Sequence, residues 1–305
     1  MTKSFSKIWR ITKQFLGDPE YKFCQFALLL VSSDRIPDRM WVKYMFHYVF
    51  GYPLNLRHPQ TFNEKLNWLK LHDHNPLYAI LVDKISVKQW MEERIGAEYI
   101  IPTLAVWKNV EDIDITDLPN QFVIKCNHDA GSTIICHDKT SFDLDAAKKQ
   151  LRKSLNHNFY LKYREWAYKY VKPQILAEQY IVDFDTNDVL DYKFFVFHGQ
   201  VKCFKIDFDR FTNHRANYYD TQKNLLPIGE KACPPAPERL IHMPSNLNSM
   251  ISKAEQIGAY APFMRVDMYN IKGRIYFSEC TLYPAGGYGH FTDNYWDLQL
   301  GNWML

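Results

Sequence analysis

Two carboxylates, Asp267 and Glu279, stand equally far from Gly273 in the stretch Arg265-Val-Asp267-Met-Tyr269 and Arg274-Ile-Tyr-Phe-Ser278-Glu279. In an antiparallel hairpin turning at Lys272-Gly273 they come out nearly opposite on adjacent strands, with Cβ atoms about 5 Å apart. Like charges so placed repel. The arrangement is reasonable where a divalent cation sits between them, and Mg2+ takes hard oxygens from one or two carboxylates together with phosphate oxygens. The competing reading is an exposed hairpin with solvated acids, and geometry alone leans toward it.

A second feature is the run Phe122-Val-Ile-Lys125-Cys126-Asn127-His128-Asp129-Ala130-Gly131-Ser132-Thr133-Ile-Ile-Cys136. A strand ends in a lysine and a small-residue loop turns back into another strand, so backbone N–H groups and a cation can converge on a phosphate. It lacks the Gly-x-x-x-x-Gly-Lys order of a Walker A loop, and a lone lysine in a strand is more often a salt-bridged or edge residue. In the third feature the apolar run Ile175-Leu-Ala177 leads into Glu178-Gln179-Tyr180-Ile181, which can present Glu178 and the next backbone groups to an adenine edge. Asp191 and Lys193 then share one strand face, suiting ribose and phosphate. Asp83-Lys84, read as lying in a helix, is a fourth candidate, although Lys84 also fits a plain surface lysine.

At the substrate end, Pro284-Ala-Gly286-Gly287-Tyr288-Gly289-His290 places three of the chain's 12 glycines within four residues, where backbone must approach a ligand closely. This reads as a carboxylate nest or, without a ligand, as a tight loop. Arg210 and Arg215 are candidate contacts for an acidic sugar and equally fit ordinary surface arginines.

These residues need an α+β framework. Residues 1–60 carry apolar positions at helical spacing, and Phe23 to Val31 reads as a buried helix, too short for a membrane span. Thr61 to Ile95 reads as two helices, the first capped by Thr61 with Glu64 and facing inward through Leu66, Leu69 and Leu71. After Gly96, strands are expected at Phe122–Cys126, Thr133–Cys136, Gln174–Glu178, Tyr192–Phe197, Val201–Phe208, Met264–Tyr269 and Arg274–Glu279, with a helix over Ser141–Leu155. His198-Gly199 and Lys272-Gly273 mark hairpins, and Gly229–Pro237 reads as a surface excursion.

With 305 residues, 37 Lys+Arg against 34 Asp+Glu and a net charge of +3, the chain suits a large globular core and lacks the basic footprint of a nucleic-acid binder. Six scattered cysteines, with no C-x-x-C pair, and no signal-peptide pattern point to a reducing cytoplasm. Lys3, Lys7, Arg10 and Lys13 alternate with Phe5, Ile8, Trp9, Ile11 and Phe15, an amphipathic helix that either packs on the protein's own core, the favoured fate, or makes peripheral contact with anionic lipid at the inner face of the membrane. The number of subunits is left open.

The order Asp83-Lys84, Lys125 with its loop, Glu178, Asp191-x-Lys193, Arg265-Val-Asp267 and Ser278-Glu279-x-Thr281 resembles the ATP-grasp superfamily. The text Thr61-Phe-Asn-Glu-Lys-Leu-Asn-Trp-Leu-Lys-Leu, Asn75-Pro-Leu-Tyr, Ile101-Pro-Thr-Leu, Leu118-Pro-Asn-Gln-Phe-Val-Ile-Lys-Cys-Asn-His, Asp191-Tyr-Lys-Phe-Phe and Tyr283-Pro-Ala-Gly-Gly-Tyr-Gly is similar to the teichuronopeptide-biosynthesis (TupA-like) ATP-grasp family, found among enzymes of bacterial surface polysaccharides. The resemblance covers nearly everything after residue 55. It implies an ATP-grasp fold, two α+β subdomains gripping ATP behind a helical N-terminal region. The corresponding divisions are 1–60, 61–117, 118–181 and 182–305. It also implies a carboxylate activated as an acyl phosphate before an amine attacks, with small-molecule or saccharide acids and amines as substrates. Lys84 and Lys125 would contact ATP phosphates, Glu178 to Ile181 the adenine and Asp191 the ribose. Lys193 stands where many relatives have a phosphate-contacting arginine, Arg265 would neutralise the transferring phosphoryl group, and Asp267 and Glu279 would hold Mg2+. Thr281 stands where a metal-ligating Asn is common, which puts a second Mg2+ in doubt. The phosphate loop, with Gly131 alone, is poorer in glycine than in the wider superfamily, so His128 or Ser132 would contribute side-chain contacts there; a histidine beside a phosphate could titrate near neutral pH, and an ordinary loop histidine is an even alternative. The resulting expectation is an ATP-dependent carboxylate–amine ligase joining an amino acid to a uronic acid; a glycosyltransferase and a nucleotide-binding scaffold are the alternatives.

Overall fold

A computed structural model describes residues 19–30, 32–182, 189–210 and 212–304. The basic amphipathic segment through Phe15 lies outside the described residues. Nine α-helices and ten strands are described: α1 (Pro19–Leu30), α2 (Asp38–Phe50), α3 (Phe62–His72), α4 (Leu77–Val82), α5 (Ser86–Ile95), β1 (Thr103–Trp107), β2 (Phe122–Cys126), β3 (Ile134–Cys136), α6 (Leu144–Leu155), α7 (Phe159–Tyr163), β4 (Ile175–Gln179), β5 (Asp191–Phe197), β6 (Gln200–Phe208), β7 (Arg215–Tyr219), β8 (Leu225–Leu226), α8 (Leu247–Gly258), β9 (Phe263–Ile271), β10 (Arg274–Thr281) and α9 (Asn294–Asn302). None of the described helices is long and apolar enough to cross a membrane.

The strands form two antiparallel sheets, β1-β4-β2-β3 and β10-β9-β5-β6-β7-β8. The first has its own small core, where Phe122, Ile124, Ile175 and Ala177 meet Leu151 of α6. The second carries the main core. One face, through Tyr192, Phe194, Phe204, Met264, Val266 and Met268, shares a cluster with Met250, Ala254 and Ile257 of α8. The opposite face is apolar at one end, where Phe62 of α3 meets Phe197 and Phe263, and charged at the other. Helices α3, α4 and α5 therefore belong to the core of the second sheet, although β1, which follows them, belongs to the first.

Local chemistry explains these elements. Thr61 closes a capping box on α3: its hydroxyl accepts from Glu64 N at 3.2 Å and Glu64 Oε2 accepts from Thr61 N at 3.1 Å. The loops at His198-Gly199 and Lys272-Gly273 have two consecutive positive φ values, the conformation that twists tight hairpins correctly. Thr61–Ile95 forms three helices rather than two, broken at Asn75-Pro76 and at Asp83–Ile85; Lys84 thus sits in a turn, and Asp83 caps α4. Phe23 and Phe26 are each 60% exposed while Cys24 is buried, so α1 is amphipathic and not a buried helix. Gly229–Pro237 is more than a surface excursion, because Cys233 and Ala236 are buried.

Candidate active site

The hairpin β9–β10 sets the geometry. Up to Met268↔Phe277 its register is that of a plain two-residue turn, in which Asp267 would pair with Ser278. A bulge at Ser278 inserts one residue and brings Glu279 opposite Asp267 and Thr281 opposite Arg265. Without it Glu279 would point to the other face of the sheet. The two carboxylates do not share a bare gap. Asp267, fully buried, accepts from Arg265 Nε at 2.7 Å, Arg265 Nη2 at 2.6 Å and Lys193 Nζ at 2.8 Å. Arg265 Nη2 also donates to Glu279 Oε1 at 3.3 Å and Thr281 Oγ1 at 3.0 Å. The repulsion expected of the acid pair is thus answered by Arg265, and Thr281 serves as part of its seat.

Register extends the row across the sheet. Lys193 pairs with Asp267 on one side and Lys205 on the other, and Asp191 pairs with Tyr269 and Asp207. Lys193 contacts Asp191 and Asp267 and lies 4.0 Å from Asp207. Arg210, half-exposed, reaches Asp191 Oδ2 at 3.3 Å, while Asp191 Oδ1 is buried with no hydrogen-bond partner among the described residues. Burial raises the Asp191 carboxyl above the ordinary carboxylate range despite Lys193, with Asp267 and Asp207 adding to the rise. Asp267 goes the other way: burial would raise it, but Arg265 and Lys193 hold it well below that range. Burial would lower the Lys193 ammonium, but Asp191 and Asp267 outweigh it and raise it.

Facing this row, the first sheet offers a second cluster. Glu178, 5% exposed, is bound by Lys125 of the neighbouring strand and by Lys88 of α5, the latter at 2.6 Å. Burial pulls both ammoniums down. Glu178 reverses this for Lys125, helped by Tyr269 and Glu279 of the second sheet, and fails to reverse it for Lys88. The two lysines in turn hold Glu178 below its ordinary range against its burial. The loop after Lys125 is pinned by Asn127, whose side chain donates to Asp83 Oδ1 at 2.8 Å and Lys172 O at 3.0 Å and accepts from Gln174 N at 2.7 Å. Lys84 Nζ donates to Asp129 O at 2.6 Å, and Ser132 Oγ accepts from Cys126 N at 2.8 Å. Gly131 has φ +111 with open space around it.

A family model described as TupA-like ATP-grasp matches residues 64–305. The chain belongs to the TupA-like ATP-grasp family. No curated protein matches it in sequence. Among solved structures it is similar to D-alanine–D-alanine ligase from Bacillus anthracis complexed with ATP (17% identity, 67% of this chain and 54% of that one, TM-score 0.38). It is also similar to D-alanine–D-alanine ligase from Helicobacter pylori (13% identity, 74% and 60%, TM-score 0.41) and to L-amino acid ligase from Bacillus licheniformis (11% identity, 79% and 53%, TM-score 0.42). The chain thus spans little more than half the length of these proteins.

Within this ATP-grasp chain, several sequence expectations meet a different local reality. Glu178 has one oxygen on each of two lysines; Gln179 is exposed, its N–H held by Pro102 O at 3.0 Å, and Tyr180 and Ile181 are half-buried. His128 is 3% exposed with Nε2 3.3 Å from His157 O, and burial lowers its pKa from the ordinary histidine value. The glycines of the 284–290 loop approach their own chain. A Cβ on Gly286 would lie 2.6 Å from the Tyr163 ring, and one on Gly287 3.1 Å from Asn67 Nδ2.

That loop is gripped by residues the helical pattern did not single out. Asn63, Asn67 and Lys70 form a polar stripe on α3: Asn63 Nδ2 donates to Gly289 O at 2.9 Å, Asn67 Nδ2 to Gly287 O at 2.7 Å, and Lys70 to Gly286 O. Lys70 is 2% exposed, 4.2 Å over the Tyr288 ring; burial pulls its ammonium down while Glu165 opposes this. Tyr168 is a further residue without a sequence signal. Its hydroxyl is pushed far up by burial and by the charges of Glu165, Glu279 and Asp129, with Arg265 opposing, so it remains a proton donor among the hairpin, the loop after Lys125 and the buried Glu165.

Proposed function

We propose that this ATP-grasp protein is an ATP-dependent carboxylate–amine ligase that joins an amino acid to a uronic acid in the building of bacterial cell-surface polysaccharide. The observation that carries the reading is the approach of two charged clusters, Lys125 with Glu178 and Lys88 on one sheet, and Arg265, Lys193, Asp267 and Glu279 on the other, close enough that Lys125 feels the charges of Glu279 and Tyr269. Transfer of a phosphoryl group depends mainly on positioned cations, and the two clusters supply them. In this reading a substrate carboxylate oxygen attacks the γ-phosphorus of ATP, ADP leaves, and an amine then displaces phosphate from the acyl phosphate with loss of a proton. Lys84 and Lys125 hold the phosphates, the backbone of Gln179 to Ile181 the adenine, and Asp191 with its unpartnered Oδ1 the ribose. Arg265 neutralises the shared charge. Lys193 keeps Asp191 and Asp267 in place, and Arg210 with the Gly286-Gly287 loop receives the acid.

Hard carboxylate oxygens fit Mg2+: Glu279, whose side chain is 38% exposed, would be the open ligand, and Asp267 would share its oxygens with Arg265 and Lys193. The ion would supply charge neutralisation on the phosphates. Incubation with ATP, Mg2+ and pools of amino acids and uronic acids should release ADP and phosphate only when acid and amine are both present, or weakly with acid alone. Release of a nucleoside diphosphate from a sugar donor without ATP would instead support a glycosyltransferase.

A further inference from the structure

Beside the ATP-grasp cleft, three residues that the proposed ligase chemistry does not use converge on one point. Asp207 is the last residue but one of β6, His214 stands just before β7, and Cys233 lies in the loop after β8; one donor atom from each falls within 4.8 Å of the other two. His214 Nε2 is 3.2 Å from Asp207 Oδ2. Asp207 Oδ1 is buried with no hydrogen-bond partner among the described residues, the Lys205 ammonium standing off at 3.6 Å, and Asp207 as a whole is 4% exposed. Leaving a buried carboxylate oxygen without a hydrogen bond is costly, and a bound cation is one standard way of satisfying it.

The supports of this cluster are built with care. Asn217 of β7 clamps the cysteine loop from both sides, donating to Ala236 O at 2.7 Å and accepting from Ala236 N at 2.9 Å. Ala216 N reaches Pro234 O at 3.4 Å, and Cys233 N donates to Glu230 O at 3.2 Å. On the other side, Asp209, the residue after β6, has φ +52. Cys233, 5% exposed, is therefore fixed toward Asp207, while the half-exposed His214 leaves an approach from solvent.

We propose that Asp207, His214 and Cys233 form a transition-metal site of the Zn2+ class, with three protein ligands and a fourth position open to solvent. The mixed oxygen, nitrogen and sulfur set suits Zn2+ and not Mg2+ or Ca2+. Tetrahedral Zn2+ with bonds of about 2.0–2.3 Å separates its donors by about 3.5 Å, so the donors need only small shifts. Charge also balances: a thiolate and a carboxylate cancel the dication, with the thiol proton passing to solvent. The nearby cations have partners of their own. Lys205, 3.6 Å from Asp207, is held by Glu230 at 3.1 Å, and Lys193 by Asp191 and Asp267. The bound ion would join the ends of β6 and β7 to the loop that carries Cys233.

The test uses the full chain, stripped with a chelator and titrated with Co2+ alone, then with Zn2+. One Co2+ per chain should bind with a thiolate-to-cobalt charge-transfer band, and Zn2+ should abolish that band. Cys233→Ser should remove the band, and His214→Gln, at a half-exposed position that tolerates change, should weaken Co2+ binding on the order of 100-fold. Absence of the band in the parent chain, or Co2+ affinity unchanged in His214→Gln, overturns the proposal. If Cys233→Ser fails to fold, the His214 variant decides alone.

Discussion

Asp267 and Glu279 face one another, yet their removal should have unequal structural consequences. In Asp267→Asn a fully buried carboxylate that accepts three charge-assisted hydrogen bonds becomes a neutral amide, with an N–H directed at Arg265 or Lys193. Breaking a buried ion network from one side costs about 4 kcal/mol. With an unfolding entropy of about 2.1 cal/mol/K per residue, this lowers Tm by about 6 °C for a chain of this length. In Glu279→Gln the lost contact is one 3.3 Å hydrogen bond on a side chain 38% exposed to solvent. Solvent screening holds that loss to about 0.5 kcal/mol, a Tm change below about 1 °C. Relief of the repulsion from Asp267 acts in the opposite direction. Differential scanning calorimetry without ligands measures both. Equal losses from the two substitutions, or a larger loss from Glu279→Gln, would refute the view that Arg265 and Lys193 lean on Asp267 in the resting protein. Activity supplies the counterpart, since Glu279→Gln should lose Mg2+-dependent ATP turnover while keeping its stability.

Three further outcomes follow from neighbouring residues. Glu178 is held below its ordinary range, so its stabilising contribution is present above the unfolded value of about 4.3 and is lost as pH falls through the folded one; the stability gap between the parent chain and Glu178→Gln, read from urea midpoints, should shrink as pH falls below about 4. A gap independent of pH would contradict the ion pairing with Lys125 and Lys88. Lys125→Gln should raise KM for ATP roughly 10- to 100-fold, a charge-assisted hydrogen bond being worth about 1.5–3 kcal/mol, and an unchanged KM would remove Lys125 from the phosphate site. Gly286→Ala should destabilise on the order of 3 kcal/mol, since φ +63 disfavours a side chain and the new methyl meets the Tyr163 ring at 2.6 Å; wild-type stability in thermal unfolding would contradict that packing.

The sequence carried the alternating strands well because their period of two is local: all seven expected strands are present within a residue or two at each end. β1 was not expected, and its Leu104 and Val106 are 36% and 41% exposed on an edge, giving no clear buried face. β7 and β8 were also missed. The inward face of α3 was read from its leucines, yet Asn63, Asn67 and Lys70 are buried as well, because their acceptors lie in a loop 220 residues further on from Asn67 to Gly287. No helical period can reveal such partners. The pairing of Asp267 with Glu279 was expected from equal distance to Gly273, but the register that produces it depends on the bulge at Ser278. Lys88 escaped notice for a similar reason. Its helical position looks like a solvated face, and only the approach of β4 brings Glu178 to it.

The central claim is that a carboxylate is activated by ATP in the cleft between the two sheets, and an acyl-phosphate trap tests it most directly. The full chain would be incubated with ATP, Mg2+, hydroxylamine and each candidate uronic or amino acid. The account predicts an acyl hydroxamate with one acid, formed with stoichiometric ADP and lost in Arg265→Ala. Turnover of a nucleotide-sugar in the absence of ATP, with no hydroxamate from any acid supplied, would contradict it.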